Sequence, residues 1–377
     1  MKVAILTQPL HTNFGGTLQA YALQKTLKNL GHNPVTINMR RKSDCRSSLR
    51  NFLAVIKQRL TSSEIRYNFT FDELKKVGVN HSRFIERNIV LSSPFYSGEE
   101  VSDFISTSGF DAIVVGSDQV WRPRYSPRIA TYFLDFLSGN KNITKLSYAA
   151  SFGTDDWEFS EQQTASFRML TKEFDAVSVR ESSAVSMCKE NLFIDAVHVL
   201  DPTLLIPKSD YLQLFNVQCS SPKGGLFTYV LDRSNDKNLI IDSVCSALSL
   251  NQFSTQPKIT KKDKFLVFNY EDYIYPDIEE WIKSFYDAEF VVTDSFHGTV
   301  FSIIFNKPFI AIANEVRGRA RFMSLLSLFG LENRLVNNVS DMTNVDIKEP
   351  IDYDSINDKL DELRNQSVDF IRNNLKD

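Results

Sequence analysis

Apolar positions in this chain come in short runs that end in polar or glycine-containing corners. Lys2 to Thr7 suits a buried strand, residues 8 to 16 a polar loop, and Thr17 to Leu30 a helix with Leu18, Ala22, Leu23, Leu27 and Leu30 near one face. Gly31 can stop that helix, and Asn33 to Asn38 reads as a second strand. Strand, helix and strand within the first 38 residues form a βαβ unit, which predicts a parallel sheet.

Residues 40 to 100 break the rhythm with basic, polar and aromatic residues, including R-R-K-S-D-C-R-S-S-L-R at 40 to 50. They read as a solvated surface insertion with a helix or two; a basic loop that helps hold an anionic ligand or polymer is the other reading. The sheet pattern then resumes at Phe110 to Val115, Leu146 to Ala150 and Ala176 to Val179, and Asp201-Pro202-Thr203 closes this half with a turn signal. From Gly224 a second rhythm predicts strands at Leu226 to Leu231, Lys264 to Asn269, Phe290 to Thr293 and Pro308 to Ile312. It predicts helices at Lys237 to Leu248, Ile278 to Tyr286, Thr299 to Phe305 and 319 to 330, the last burying Leu325, Leu326 and Leu328. A final amphipathic helix is expected over 355 to 375 through Ile356, Leu360, Leu363, Ile371 and Leu375.

The fold class expected is α/β: two doubly wound Rossmann-like domains facing a central cleft. Residues 1–205 would form the N-terminal domain with its insertion near 40–100, and 206–350 the C-terminal domain. Residues 351–377 would be a helix that packs back on the first domain. A chain of 377 residues exceeds what one core usually supports, which agrees with two domains.

Charge and cysteine usage remove several function classes. Lys plus Arg number 43 and Asp plus Glu 46, a balance that gives no support to a non-specific nucleic-acid binder. Four scattered cysteines without a CxxC pair suggest neither a metal knuckle nor a disulfide framework. The first apolar run is too short for a signal peptide, and no window approaches a membrane span. A cytoplasmic protein is expected, with the inner face of the membrane open as a site of peripheral contact.

Candidate chemistry collects where strands end. N-F-G-G at 13 to 16 follows the first strand and reads either as an anion-binding loop through Asn13, Gly15 and Gly16 or as an ordinary tight turn; it is neither a dinucleotide fingerprint nor a P-loop. In G-S-D-Q-V-W at 116 to 121, Ser117, Asp118 and Gln119 can hydrogen-bond sugar hydroxyls and Trp121 can stack on a sugar face. Alternatively Asp118 caps the next segment and Trp121 fills a core. Arg180 and Glu181 offer an anion clamp or a surface ion pair. D-S-F-H-G-T at 294 to 299 places His297 in the turn before an expected helix, as a general acid–base or as a packed residue. No histidine at i+4 accompanies it, so no metal site is expected. E-V-R-G-R-A-R adds Arg317, Arg319 and Arg321, an anion-binding loop or a solvated one.

Taken together, N-F-G-G-T-L-Q-A-Y-A-L-Q, V-V-G-S-D-Q-V-W, V-S-V-R-E, D-P-T-L-L and T-D-S-F-H-G-T-V-F-S resemble the polysaccharide pyruvyl transferase family, over most of residues 1 to 335. The resemblance implies a glycosyltransferase-B-like fold. It also implies transfer of the enolpyruvyl unit of phosphoenolpyruvate onto a sugar of a cell-surface polysaccharide or its precursor, usually as a cyclic ketal, with release of phosphate. It implies catalysis by His297 and donor binding by Arg180. From charge and position we add Arg317, Arg319 and Arg321, and the Ser295, Gly298 and Thr299 corner, on the donor side. Asp118 is placed on the acceptor hydroxyl, with Asn13, Gly15, Gly16, Ser117, Gln119 and Trp121 lining the acceptor or its loop. No cofactor is called for. The partners implied are phosphoenolpyruvate and a lipid-linked or nucleotide-linked sugar. A nucleotide-sugar glycosyltransferase and a non-catalytic carbohydrate-binding protein stay open as alternatives, as do the acceptor's identity and the oligomeric state.

Overall fold

In the first strand (β1, Lys2–Leu6), Val3 and Ile5 point into one apolar layer while Ala4 and Leu6 point into another. This is the period-two pattern of a strand covered on both faces, as parallel sheets require. The structure, a computed structural model, describes residues 1–40, 71–126, 128–215, 224–257, 270–313 and 318–376.

Those residues build two all-parallel sheets. The first joins β1 to Asn33–Met39 (β2), Leu91–Phe95 (β3), Ala112–Val115 (β4), Thr144–Ala150 (β5), Ala176–Val179 (β6) and Val197–His198 (β7), in the order β3-β2-β1-β4-β5-β6-β7. The second joins Leu226–Tyr229 (β8), Gln252–Phe253 (β9), Phe290–Thr293 (β10), Phe309–Ile312 (β11) and Leu335–Val336 (β12), in the order β12-β11-β10-β8-β9. Strand order reverses between β1 and β4 in the first sheet and between β8 and β10 in the second. Such switch points open a crevice at the carboxyl ends of the strands, because the connecting helices leave in opposite directions.

One continuous apolar layer takes residues from both sheets: Val3 and Ile5 from β1, Phe227 from β8 and Val291 from β10. At its centre Phe14 lies parallel to Trp281, with ring centroids 5.2 Å apart and an interplanar angle of 9°. Second layers cover the outer faces, around Trp121 and Phe133 on the first sheet and around Ile240, Val292 and Ile310 on the second.

Several elements differ from the expected ones, and the causes are local. The first helix runs Phe14–Asn29 and the DSFHG helix runs Phe296–Ile304, each starting three residues early. In both, a polar side chain caps the helix ahead of a glycine: Asn13 Oδ1 accepts from Gly16 N, and Ser295 Oγ from Gly298 N. His297 therefore sits inside the first turn of a helix. The Phe14–Asn29 helix is buried on nearly every side because it is covered along its length, Phe14 stacking on Trp281, Tyr21 packing edge-on against Phe84 and Gln24 bonding to Thr36, so one apolar face understates it. Leu328 is half-buried, since its helix ends at Ser327.

Within 71–100, the expected insertion contributes β3 as a sheet edge and the Val79–Asn88 helix, which buries His81, Phe84 and Ile85. Residues 41–70, with most of the basic run, and the expected strand Lys264 to Asn269 lie outside the described residues. The last helix, Tyr353–Asn374, buries Ile356, Leu360 and Ile371. Its Arg364 donates to the Leu204 carbonyl at 2.8 Å, and its Ser367 Oγ accepts from Leu200 N at 3.0 Å.

Candidate active site

β10 ends on Thr293, and the chain turns at once into the Phe296–Ile304 helix. The corner is held tightly: Thr293 Oγ1 donates to the Tyr229 carbonyl at 2.7 Å and accepts from Ser295 N at 3.1 Å. Gly298 lies over that hydroxyl, and a methyl group there would stand 2.1 Å from Oγ1, so only glycine lets the helix seat this low. Thr299 is fully buried and its hydroxyl donates back to the Ser295 carbonyl. Asp294 is structural: it accepts from Leu231 N, Asp232 N and Lys237 Nζ at 2.6, 3.1 and 2.5 Å, tying the β8 and β10 ends together at the switch point.

The corner presents His297 to the other half of the molecule. Its ring lies against Gly15, in the first turn of the Phe14–Asn29 helix, and its Nε2 stands 3.6 Å from Asp201 Oδ2. The histidine is only 7% exposed.

Asp201 is itself fixed on both oxygens. Oδ1 accepts from Thr203 N and Thr203 Oγ1 at 3.0 and 2.6 Å, and Oδ2 accepts from Arg180 Nη1 at 2.9 Å. Arg180 follows β6 and is equally buried. Its Nε donates to Glu181 Oε1 at 3.3 Å, its Nη2 lies 3.8 Å from Asp118 Oδ1, and its guanidinium covers the Phe296 ring at 4.6 Å. Arg321 reaches the same ring at 5.7 Å, so Phe296 carries two guanidinium groups.

Electrostatics follow from this crowding. Burial works against the Arg180 charge, yet Glu181, Asp201 and Asp118 together outweigh it and raise its pKa above the ordinary arginine value. Burial alone would raise Asp201, but His297, Arg180 and the Thr203 hydroxyl bring it well below the usual carboxylate range. Arg321 is pushed down to about 10, first by burial and then by the neighbouring Arg180 charge.

The structure thus brings together His297, Arg180, Arg321, Asp118 and Gly15. Other expected members have different surroundings. Trp121 is fully buried, parallel to Phe133 at 5.1 Å, and its Nε1 donates to the Tyr132 carbonyl, so it fills a core and offers no face to a sugar. Ser117 is buried and donates to the Ala149 carbonyl, and Gln119 Oε1 accepts from Arg122. Asn13 and Gly16 are joined to each other by the helix cap. The Arg180–Glu181 pair is buried, not a surface pair, because both side chains lie under the Phe296 corner. Arg319 is exposed, and Arg317 lies outside the described residues.

Two contributors have no functional reading in the sequence. Asp201 reads only as a turn signal, and that reading is true of its Oδ1; Phe296 reads only as an apolar residue of its motif. Among the described residues no group of His, Cys, Asp or Glu side chains is arranged to hold a metal, and no helix is long and apolar enough to cross a membrane. An open depression of about 660 Å³ lies elsewhere, lined by Gly224, Gly225 and Glu289, just before β8 and β10 begin. That is the opposite sheet edge from His297.

A family model described as "Polysaccharide pyruvyl transferase" matches residues 13–316. No curated protein matches the chain. Among solved structures, UDP-GlcNAc 2-epimerase from Neisseria meningitidis bound to UDP-GlcNAc is 10% identical over 99% of each chain, with a TM-score of 0.51. The UDP-GlcNAc 2-epimerase of Methanocaldococcus jannaschii is 13% identical over 98% of each chain, with a TM-score of 0.48. The likeness to the first is one of fold alone: two Rossmann-like halves in the glycosyltransferase-B-like arrangement.

Proposed function

This chain belongs to the polysaccharide pyruvyl transferase family and is an enzyme of pyruvyl-group transfer, and we propose that His297 is its proton-transfer group, acting on phosphoenolpyruvate and a sugar. The observation that carries this reading is the connection of His297, through Asp201, to Arg180 across the boundary between the two sheets. It puts an acid–base group beside two buried guanidinium groups, those of Arg180 and Arg321, which an anionic enol donor can engage.

In the proposed reaction His297 delivers a proton to the methylene carbon of the donor, and the carbon–carbon π pair forms the new C–H bond. An acceptor hydroxyl attacks the resulting oxocarbenium-like carbon and gives its proton back to His297. The carbon–oxygen bond to phosphate then breaks with its electron pair. A second hydroxyl closes the ketal, and its proton leaves with phosphate. Arg180 and Arg321 hold the donor's carboxylate and phosphate; Nη2 of Arg180, buried without a hydrogen-bond partner, suits a donor oxygen. Ser295, Gly298 and Thr299 support by holding the helix start in place. Asp118 orients the acceptor hydroxyl.

We assign residues 1–205 and 206–350 to the two halves of this site and 351–377 to a helix that braces the first. The acceptor is a lipid-linked or nucleotide-linked sugar of an envelope polysaccharide. The reaction runs on the cytoplasmic side, where phosphoenolpyruvate is made. Calorimetric titration of phosphoenolpyruvate against UDP-sugars tests the donor: heat of binding from phosphoenolpyruvate alone supports the reading. Saturable binding of a UDP-sugar with none of phosphoenolpyruvate would favour a glycosyltransferase.

A further inference from the structure

We infer that Asp201 is a positioning residue that holds His297 with Nε2 turned inward, so that Nδ1 is the nitrogen that exchanges the proton. This rests on the proposed pyruvyl transfer and adds which nitrogen acts and what orients it.

Asp201 has little freedom to move. It caps the Pro202–Leu204 turn, both its oxygens are engaged by Thr203 and Arg180, and it is 2% exposed. Its Oδ2 faces the imidazole Nε2 of the opposite domain at 3.6 Å. Nε2 is fully buried and has no hydrogen-bond partner, and a shift of about half an ångström brings it into bonding range of that carboxylate.

A neutral imidazole has one N–H and one lone pair. A lone pair turned towards an ionised carboxylate is repelled, whereas an N–H is attracted, so the proton of the neutral ring belongs on Nε2. Asp201 remains ionised, since it stays well below the usual carboxylate range. It therefore orients the ring and stabilises the imidazolium without taking its proton.

Gly15, at the start of the Phe14–Asn29 helix, packs on the face of the ring beside Nδ1 and places no side chain there, so the in-plane direction of Nδ1 is left to the donor. In the proton-donating step the Nδ1–H bond of the imidazolium breaks and a C–H bond forms at the donor methylene. In the return step the acceptor O–H breaks and Nδ1–H re-forms. Nε2–H is unchanged throughout.

The test is a long-range ¹H–¹⁵N spectrum of the full-length chain labelled at histidine, where five histidines give few enough signals to assign with H297A. At mildly alkaline pH the His297 signals are expected to show protonated Nε2 and an unprotonated Nδ1. In Asp201→Asn the side-chain amide becomes a donor, so the tautomer is expected to invert and kcat for phosphate release to fall by about 10²-fold or more. A wild-type spectrum with protonated Nδ1 overturns the inference, and so does an Asn variant with unchanged tautomer and unchanged kcat. If that variant does not fold, the wild-type spectrum still decides. Absence of phosphate release from phosphoenolpyruvate with every acceptor would count against the proposed donor, and the tautomer would still be read independently.

Discussion

Gly15 and His297 come from the two different domains and leave no room for one carbon atom between them: a methyl group on Gly15 would lie 2.0 Å from Nδ1 of the imidazole. The glycine of N-F-G-G is thus a seat for the histidine of D-S-F-H-G, and the two motifs form one contact.

Replacing Gly15 by alanine inside a helix ordinarily stabilises it by about 0.5–1 kcal/mol. Here the ring is buried and faces Asp201, so it has little space to withdraw. Gly15→Ala is expected to lower stability by about 1–3 kcal/mol, as overpacking does, and to cut turnover at least tenfold. Thermal unfolding and phosphate release measure the two. A stabilised and fully active variant would show that the domains do not meet at this point in solution.

Arg180 serves Glu181, Asp201 and Asp118 at once, and a lysine ammonium cannot reach all three in a planar fork. Arg180→Lys is expected to cost about 1.5–3 kcal/mol in urea unfolding. Arg180→Ala should cost about 3–5 kcal/mol, because it strands buried carboxylates. In the lysine variant the KM for the donor should rise while the fold, read by near-ultraviolet circular dichroism, is kept.

Arg319 and Arg321 belong to one helix and separate two explanations of the arginine cluster. Arg319 is exposed, so Arg319→Ala should leave the donor KM within about twofold of wild type, as for surface sites generally. Arg321 is buried over Phe296 beside Arg180, and Arg321→Ala should raise the donor KM by about tenfold or more, the size of one charged hydrogen bond. Equal effects from the two would point to a diffuse surface charge and away from a formed pocket.

His81 provides a pH signature independent of the reaction. It is buried against Phe14 and Tyr275, and burial, with the nearby His11, lowers its pKa to about 3. The unfolded value is about 6.5. Between the two the unfolded chain binds the extra proton, so stability is full above about pH 6.5 and is lost as pH falls towards 3, by up to about 1.4 kcal/mol per unit. Asp201, with a folded pKa below the ordinary carboxylate value, adds a separate loss only below about pH 4. Urea unfolding between pH 7 and 5 should show the upper slope in wild type, and His81→Phe should make it shallower, leaving the share of His198, whose pKa burial also lowers.

Much of this architecture is legible in the residues, and the exceptions share a cause. Interior strands such as β4, β6 and β10 read directly, because a strand buried on both faces is a continuous apolar run. β7, β9 and β12 are two residues long and carry no period to detect. Helix starts at Phe14 and Phe296 were hidden by glycines that local propensity assigns to loops, while the capping side chains one residue earlier were the better signal. In the candidate site, the position of His297 at a sheet edge follows from its flanking runs, but its contacts with Gly15 and Asp201 depend on the other domain. Trp121 shows the converse: its place in the chain suits a sugar platform, and packing against Phe133 decides for the core.

The most direct test of the central claim is phosphate release from phosphoenolpyruvate across a panel of lipid-linked and nucleotide-linked sugars, with mass spectrometry of each acceptor, for wild type and His297→Ala. The expected result is one acceptor that gains a single pyruvyl unit as phosphate appears. In the well-folded alanine variant the rate should fall by about 10²–10⁴-fold, the usual worth of a general acid–base group. A folded alanine variant with full turnover would contradict the role of His297. Transfer of a sugar from a nucleotide, with no pyruvyl gain on any acceptor, would contradict the proposed reaction itself.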